Sequence, residues 1–299
     1  MCEEDVVLFL VLSACHPDIE DTGETGEIGE TGDPGTPCTD FTEIIETCEE
    51  AVEPIDGEAG DYYAGMDLDG ADWVEDLALL IHTEDHVSYD GLWSAFLLTD
   101  VREDGTLWDI YSTLPTGEEA YTYQLESDQC GQYSQEGDCY NREHTWPSSW
   151  FGGYSPMKSD LHHVFPTDGY VNNKRGSYPF GQVGSPSWTS TNGSMVGRSD
   201  QCDASYRVFE PIDAYKGDIA RAFFYMAIRY RGEDEDWTSS GATEGTWIEP
   251  WAEQVLRAWH ILDPPDAKEI DRNNAIAALQ GNRNPFIDHP EWVCFLEDF

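Results

Sequence analysis

Apolar side chains recur at helical spacing in several stretches of the chain. In residues 72–81, DWVEDLALLI, the positions Trp73, Leu77, Leu80 and Ile81 share one helical face. Residues 216–231 give the clearest helix, with Ile219, Phe223, Met226 and Tyr230 along one stripe. Further helices are expected over about 249–262 and 268–280, the second leading into GNRNPFIDHPEW. Between 107 and 125 the period changes. LWDIYS and AYTYQL alternate large apolar with polar residues on either side of a Pro-Thr-Gly-Glu turn, the pattern of two strands. A polar loop rich in Gly and Trp covers 232–248. The mixture predicts an α+β fold over residues 60–299 as one domain.

Composition supports a folded domain and complicates its chemistry. With 299 residues, 39% of them hydrophobic and 13% aromatic, the chain is too apolar for disorder and long enough for a sizeable core. Its charge is extreme, with 15 basic against 60 acidic residues and a formal net of −45. Taken alone, that balance argues against a polyanionic ligand, because phosphates are normally met by Lys and Arg. The distribution softens the objection. Residues 1–141 hold 37 acids and a single base, Arg102, whereas residues 142–299 hold 23 acids and 14 bases. The acid excess reads as a solvated, self-repelling surface suited to salty surroundings.

The N-terminal segment points to export. Residues 6–14, VVLFLVLSA, form an apolar run of signal-peptide length, too short to span a bilayer as a helix. The run ends in Leu-Ser-Ala-Cys at 12–15, similar to a bacterial lipobox, which would make Cys15 the site of a lipid anchor. The preceding MCEEDVV is acidic where export signals carry Lys or Arg. Residues 1–15 are thus read as a signal peptide with lipobox, and residues 16–59 as an acidic tether. Glycines 23, 26, 29, 32 and 35 recur every third position there, too few triplets for a collagen helix and suited to an extended linker. The eight cysteines include no CxxC pair, which disfavours structural zinc and favours disulfides in an oxidising compartment. Proximity in sequence suggests Cys38–Cys48 and Cys130–Cys139, leaving Cys202–Cys294. The expected location is secreted or anchored in the cell envelope.

Candidate chemistry concentrates in residues 137–182. Glu143 and His144 are adjacent, so on a strand they point to opposite faces unless the strand ends there. A carboxylate suits a hard divalent cation and a neutral imidazole suits a general base. Asn172, in GYVNNKRG, offers a neutral hard oxygen for the same cation, although an Asn pair near Gly is also an ordinary turn signal. Lys174 and Arg175 stand beside it, where a phosphate could dock.

NREHTWPSSWFG at 141–152 and SDLHHVFPTDGYVNNKRGSYPFGQV at 159–183 closely resemble the bacterial endonuclease I family of secreted and periplasmic nucleases. KGDIARAFFYM at 216–226 and LQGNRNPFIDHPEW at 279–292 extend the resemblance in the same order. It implies a ββα-metal, or His-Me finger, core. By position it makes His144 the general base and Glu143 and Asn172 the ligands of one Mg²⁺, for which Mn²⁺ or Ca²⁺ can substitute structurally. Arg175 becomes the phosphate clamp, with Arg142 able to take that role. Asp160, His162 and His163, in the Asp-Leu-His-His element, support the site from behind, with Asp160 orienting an imidazole. The implied activity is low-specificity hydrolysis of DNA, and of RNA as a further substrate, to 5′-phosphate products by a monomeric enzyme.

Two other readings compete. A zinc peptidase would use Glu143, His144, His162 and His163, but no HExxH helix is present. A non-enzymatic acidic cell-surface lipoprotein would bind divalent cations or a partner through its N-terminal half.

Overall fold

From Thr42 onward the computed structural model forms two single-turn helices, α1 (Thr42–Ile45) and α2 (Cys48–Ala51). Helices α3 (Trp73–Ile81) and α4 (Leu92–Thr99) follow. Strand β1 (Tyr140–His144) pairs antiparallel with β2 (Val164–Asp168), which runs straight into α5 (Gly169–Arg175). Strands β3 (Val183–Thr189), β4 (Met195–Ser199) and β5 (Arg207–Glu210) make an antiparallel three-stranded sheet. Helix α6 (Lys216–Arg229) leads to a minimal hairpin of β6 (Thr243–Glu244) and β7 (Trp247–Ile248). The chain ends with α7 (Pro250–Leu262), α8 (Ala267–Gln280) and two short helices, α9 (Pro285–Asp288) and α10 (Trp292–Phe295). The structure describes residues 39–55, 59–83, 85–116, 118–201 and 206–299. The lipobox, most of the tether, Cys38 and Cys202 lie outside the described residues. Residues 38–299 form one compact unit, so the α+β class holds.

Helix α6 organises the core. Its expected apolar stripe is there, but every residue from Gly217 to Arg229 is buried, so the helix is enclosed on all sides rather than on one face. The two cations this encloses are matched. Arg221 donates through Nε to Glu269 at 2.9 Å and through Nη1 to the Asp263 carbonyl, and Arg229 pairs with Glu233 at 2.8 Å. Helix α7 packs along α6 and begins with Pro250, whose missing N–H costs nothing in the first turn. Asp266 caps α8 by accepting from the Glu269 N–H, and Gly281, at φ 78°, ends it in the left-handed conformation that glycine adopts freely.

Two sequence expectations fail. Residues 107–125 are not a strand pair. The two segments meet in an isolated bridge, Thr106 with Gln124, and a hydrogen bond from the Leu107 N–H to the Tyr123 carbonyl, not in a ladder. The cause is Asp109, whose carboxylate accepts from the Tyr111 N–H, the Thr167 hydroxyl and the Asp168 N–H, folding LWDIYS into a turn. Ile110 and Tyr111 are both buried, so the alternation marked anchored rings in a loop rather than two faces of a strand.

The disulfides also differ. Cys130–Cys139 forms as expected, but Cys48 pairs with Cys294, which rules out both Cys38–Cys48 and Cys202–Cys294. The reason is packing. Helix α1 lies against α7, and Cys48, Val52 and Ile261 form a small apolar cluster beside Cys294. Residues that read as tether thus end against the C-terminal segment, a proximity that sequence spacing does not encode.

Candidate active site

The β1–β2 register pairs Glu143 with Phe165 and His144 with Val164. His144 is the last residue of β1, and there the alternation of faces lapses: Glu143 and His144 open onto one cavity of about 340 Å³. Asn172 reaches the same cavity from α5. That helix is aimed by Asp168, which ends β2 and caps α5 by accepting from the Tyr170 and Val171 N–H groups at 2.7 and 2.8 Å. Arg142 and Arg175 also line the cavity, so five of the eight residues singled out from sequence converge there. Asp160, His162 and His163 do not reach it.

His144 is oriented through its ring. Nε2 lies 2.9 Å from the carbonyl oxygen of Lys158, which can only accept, so Nε2 carries the proton and Nδ1 is left as the basic nitrogen. Burial, the neighbouring His163 ring and the cations Arg142 and Arg175 hold its pKa down at about 3, against the lift from the Lys158 carbonyl. His144 is therefore neutral across the physiological range.

Glu143 is almost fully buried at 2% exposure. Its Oε1 accepts from the Tyr111 hydroxyl at 2.8 Å and faces Arg175 Nη1 at 2.9 Å. Burial raises its pKa to about 7, and Arg175 and the Tyr111 hydrogen bond only partly offset this. Arg175 itself is enclosed, donating to the backbone carbonyls of His144 and Thr145 as well as pairing with Glu143. Arg142 is braced differently, donating to the Tyr89 carbonyl at 2.7 Å with its guanidinium stacked over the Tyr89 and Trp93 rings.

Asn172 donates its side-chain N–H to Oδ1 of Asn141 at 2.7 Å. That fixes the amide and leaves the Asn172 carbonyl oxygen without a hydrogen bond among the described residues. Oε2 of Glu143 is likewise unclaimed. Two hard oxygens, one anionic and one neutral, thus share the cavity, a donor set that suits Mg²⁺ retaining several waters. No cluster of three or more His, Cys, Asp or Glu side chains able to hold a metal occurs among the described residues, which leaves the zinc arrangement of Glu143, His144, His162 and His163 without support.

Behind the cavity, Asp160 is a buried hub. It accepts from the Tyr225 and Tyr230 hydroxyls at 2.8 Å, from Gln280 Nε2 at 3.0 Å and from the His162 backbone N–H, rather than from an imidazole. Burial pushes its pKa up, but the nearby His162 and His163 rings and these donors outweigh it and hold the carboxyl below its usual range. His163 donates Nε2–H to the Met157 carbonyl, and its ring lies 5.6 Å from that of His144. His162 packs on Tyr225 and reaches the Asn282 carbonyl at 3.3 Å. Sequence reasoning missed Asn141, Tyr111 and the Lys158 carbonyl as the groups that hold Asn172, Glu143 and His144. Asn141 stood inside the quoted motif; the other two left no signal.

The family model described as Endonuclease I matches residues 71–291. The chain is 32% identical to an extracellular ribonuclease of Bacillus subtilis (strain 168) over 247 residues, 78% of this chain and 76% of that one. It is 39% identical to an extracellular ribonuclease of Bacillus amyloliquefaciens over 166 residues, 52% of each chain. A periplasmic deoxyribonuclease of Aeromonas hydrophila is 32% identical over 136 residues, 45% of this chain and 49% of that one. Against the latter two, the match spans about half of the relative's length.

Proposed function

The chain belongs to the endonuclease I family and is a hydrolytic endonuclease, and from that premise we propose a low-specificity, Mg²⁺-dependent phosphodiesterase acting at the Glu143–His144–Asn172 cavity. The observation that carries the reading is the His144 ring, whose Nε2–H is spent on the Lys158 carbonyl while the residue lines the cavity beside Glu143 and Asn172. A neutral imidazole held in one tautomer is ready to accept a proton at Nδ1. In this reading Nδ1 takes the proton of the water that attacks phosphorus. Glu143 Oε2 and Asn172 Oδ1 would hold the cation. When bound, Mg²⁺ supplies Lewis-acid stabilisation of the charge that develops on the leaving 3′ oxygen. The products would carry 5′-phosphates.

The remaining residues have supporting parts. Arg142 is the cation braced on the cavity wall and the better placed of the two arginines to meet a phosphate. Arg175 acts first on Glu143, with phosphate contact a further role. Asp160, His162 and His163 brace the wall behind His144. The substrate class is nucleic acid, DNA or RNA, as the names of the ribonuclease and deoxyribonuclease relatives suggest. Their extracellular and periplasmic descriptions support an extracytoplasmic location. A lipid anchor at Cys15, the ββα-metal description of β1–β2–α5 and a monomeric state belong to the same proposal.

The test is direct. Plasmid DNA and a long RNA are incubated with wild type and with His144→Ala, each with Mg²⁺ and with EDTA. Cleavage by wild type in Mg²⁺ alone is expected. Intact nucleic acid in that reaction, or equal cutting by the variant, would overturn the reading.

A further inference from the structure

Of the chain's 15 cations, eleven lie within 4.0 Å of a carboxylate. Among the described residues the other four, Lys158, Lys174, Arg198 and Arg207, make no ion pair. In a chain with 60 acids this is not a scattered remainder. Lys158 lines the catalytic cavity, while Lys174 and Arg207 line a neighbouring groove of about 760 Å³. Gly176 and Ser177 border both, so the two adjoin. Arg198 stands directly across from Arg207 in the β4–β5 ladder. Like charges at directly opposed positions repel, and no carboxylate among the described residues lies within ion-pair distance of either. The pair is a stability cost that an anion lying along the sheet would remove.

Aromatic rings alternate with these cations. Trp188 is aligned with Val196 and, through it, with Phe209, two rows along the ladder from Arg198 and Arg207. Tyr178 borders the groove with the Arg207 guanidinium 5.7 Å from its ring, and Lys174 lies 4.9 Å from the Tyr170 ring and 6.0 Å from Trp188. A cationic track with interleaved rings is the recognition chemistry of single strands, whose phosphates follow the charges while unpaired bases stack. Resting on the nuclease reading, we propose that the β3–β5 sheet and the end of α5 form a subsite for single-stranded nucleic acid leaving the catalytic cavity. Arg198, Arg207 and Lys174 meet its phosphates and Trp188 and Tyr178 stack its bases. The enzyme therefore favours single strands over duplexes.

Binding is measured by fluorescence anisotropy in Mg²⁺ buffer on a His144→Ala background, which removes turnover. The probes are a fluorescein-labelled single-stranded RNA and a duplex of the same sequence. Arg198→Gln/Arg207→Gln is expected to weaken single-strand binding about tenfold and to reduce the slope of log K against log salt by about 1.4, as for two lost phosphate contacts. Trp188→Leu is expected to weaken the single strand severalfold at unchanged slope, with a smaller effect on the duplex. Arg231→Gln, which removes one charge elsewhere, controls for net charge. The proposal is overturned if the double variant matches its parent in affinity and slope, if Arg231→Gln does equal damage, or if Trp188→Leu weakens both probes equally. The exposed arginines keep the test alive should Trp188→Leu fail to fold. Wild-type cleavage with an unaffected double variant sinks the subsite alone. Affected binding without any wild-type cleavage sinks the nuclease reading alone.

Discussion

The side-chain nitrogen of Asn172 donates to Oδ1 of Asn141 at 2.7 Å, tying the helix that follows β2 to the second residue of β1. The bond decides which end of the Asn172 amide faces the cavity. Asn141→Ala frees the amide to rotate and present N–H in place of oxygen. Groups that orient a metal ligand are typically worth 10–100-fold in metal affinity. The expected result is a 10- to 100-fold rise in the Mg²⁺ concentration for half-maximal cleavage, with activity recovered at high Mg²⁺. An unchanged Mg²⁺ titration would reject this role.

Arg175 and Glu143 make a buried pair at 2.9 Å, both almost fully enclosed. Removing one partner of such a pair leaves a buried charge uncompensated, at about 3–5 kcal/mol. Arg175→Met should therefore lower the urea midpoint markedly, and adding Glu143→Gln should restore part of the loss, because the stranded carboxylate is then gone. Additive losses in the double variant would mean that the two side chains do not depend on each other.

How much of this was legible follows from what each residue does. Glu143, His144, Asn172, Arg142 and Arg175 lie in compact motifs, and the motifs converge on one cavity. The groups that hold them were harder to read. The Lys158 carbonyl that fixes His144 is backbone, which every residue has. Tyr111, which donates to Glu143, sat in a stretch whose alternation imitated a strand, because Asp109 folds it through hydrogen bonds to partners some 58 residues away. Long-range pairing of this kind leaves no local period. Helix α6 was legible as a helix, but its full burial depends on what packs around it.

Acid should act on the enzyme through Glu143 before it acts through His144. Burial lifts the Glu143 pKa to about 7 in the absence of metal, whereas His144 stays neutral down to about 3. Below about pH 7 a proton on Glu143 competes with the cation, so metal affinity should fall by up to tenfold per pH unit. Raising Mg²⁺ favours the ionised carboxylate and should move the acid limb of the pH–rate profile to lower pH. Profiles recorded at two Mg²⁺ concentrations a hundredfold apart test this. An acid limb fixed near 6.5 and indifferent to Mg²⁺ would instead mark an ordinary histidine.

The two observed disulfides should differ in what they contribute. Cys48–Cys294 closes a separation of 246 residues, and Cys130–Cys139 one of 9. On the chain-entropy account the long closure stabilises by about 5 kcal/mol and the short one by about 3 kcal/mol. The short bridge lies nearer the chemistry. Its Cys130 sulfur lies beside Gly169, the first residue of α5, and the Cys139 carbonyl accepts the Gly169 N–H. Cys48→Ser/Cys294→Ser should therefore lower the melting temperature more while leaving cleavage at 25 °C near wild type. Cys130→Ser/Cys139→Ser should lower cleavage more than its smaller stability loss explains, because α5 carries Asn172. Parallel calorimetry and cleavage assays decide it, and the reverse ordering in either measurement would show that the bridges do not divide stability and site geometry in this way.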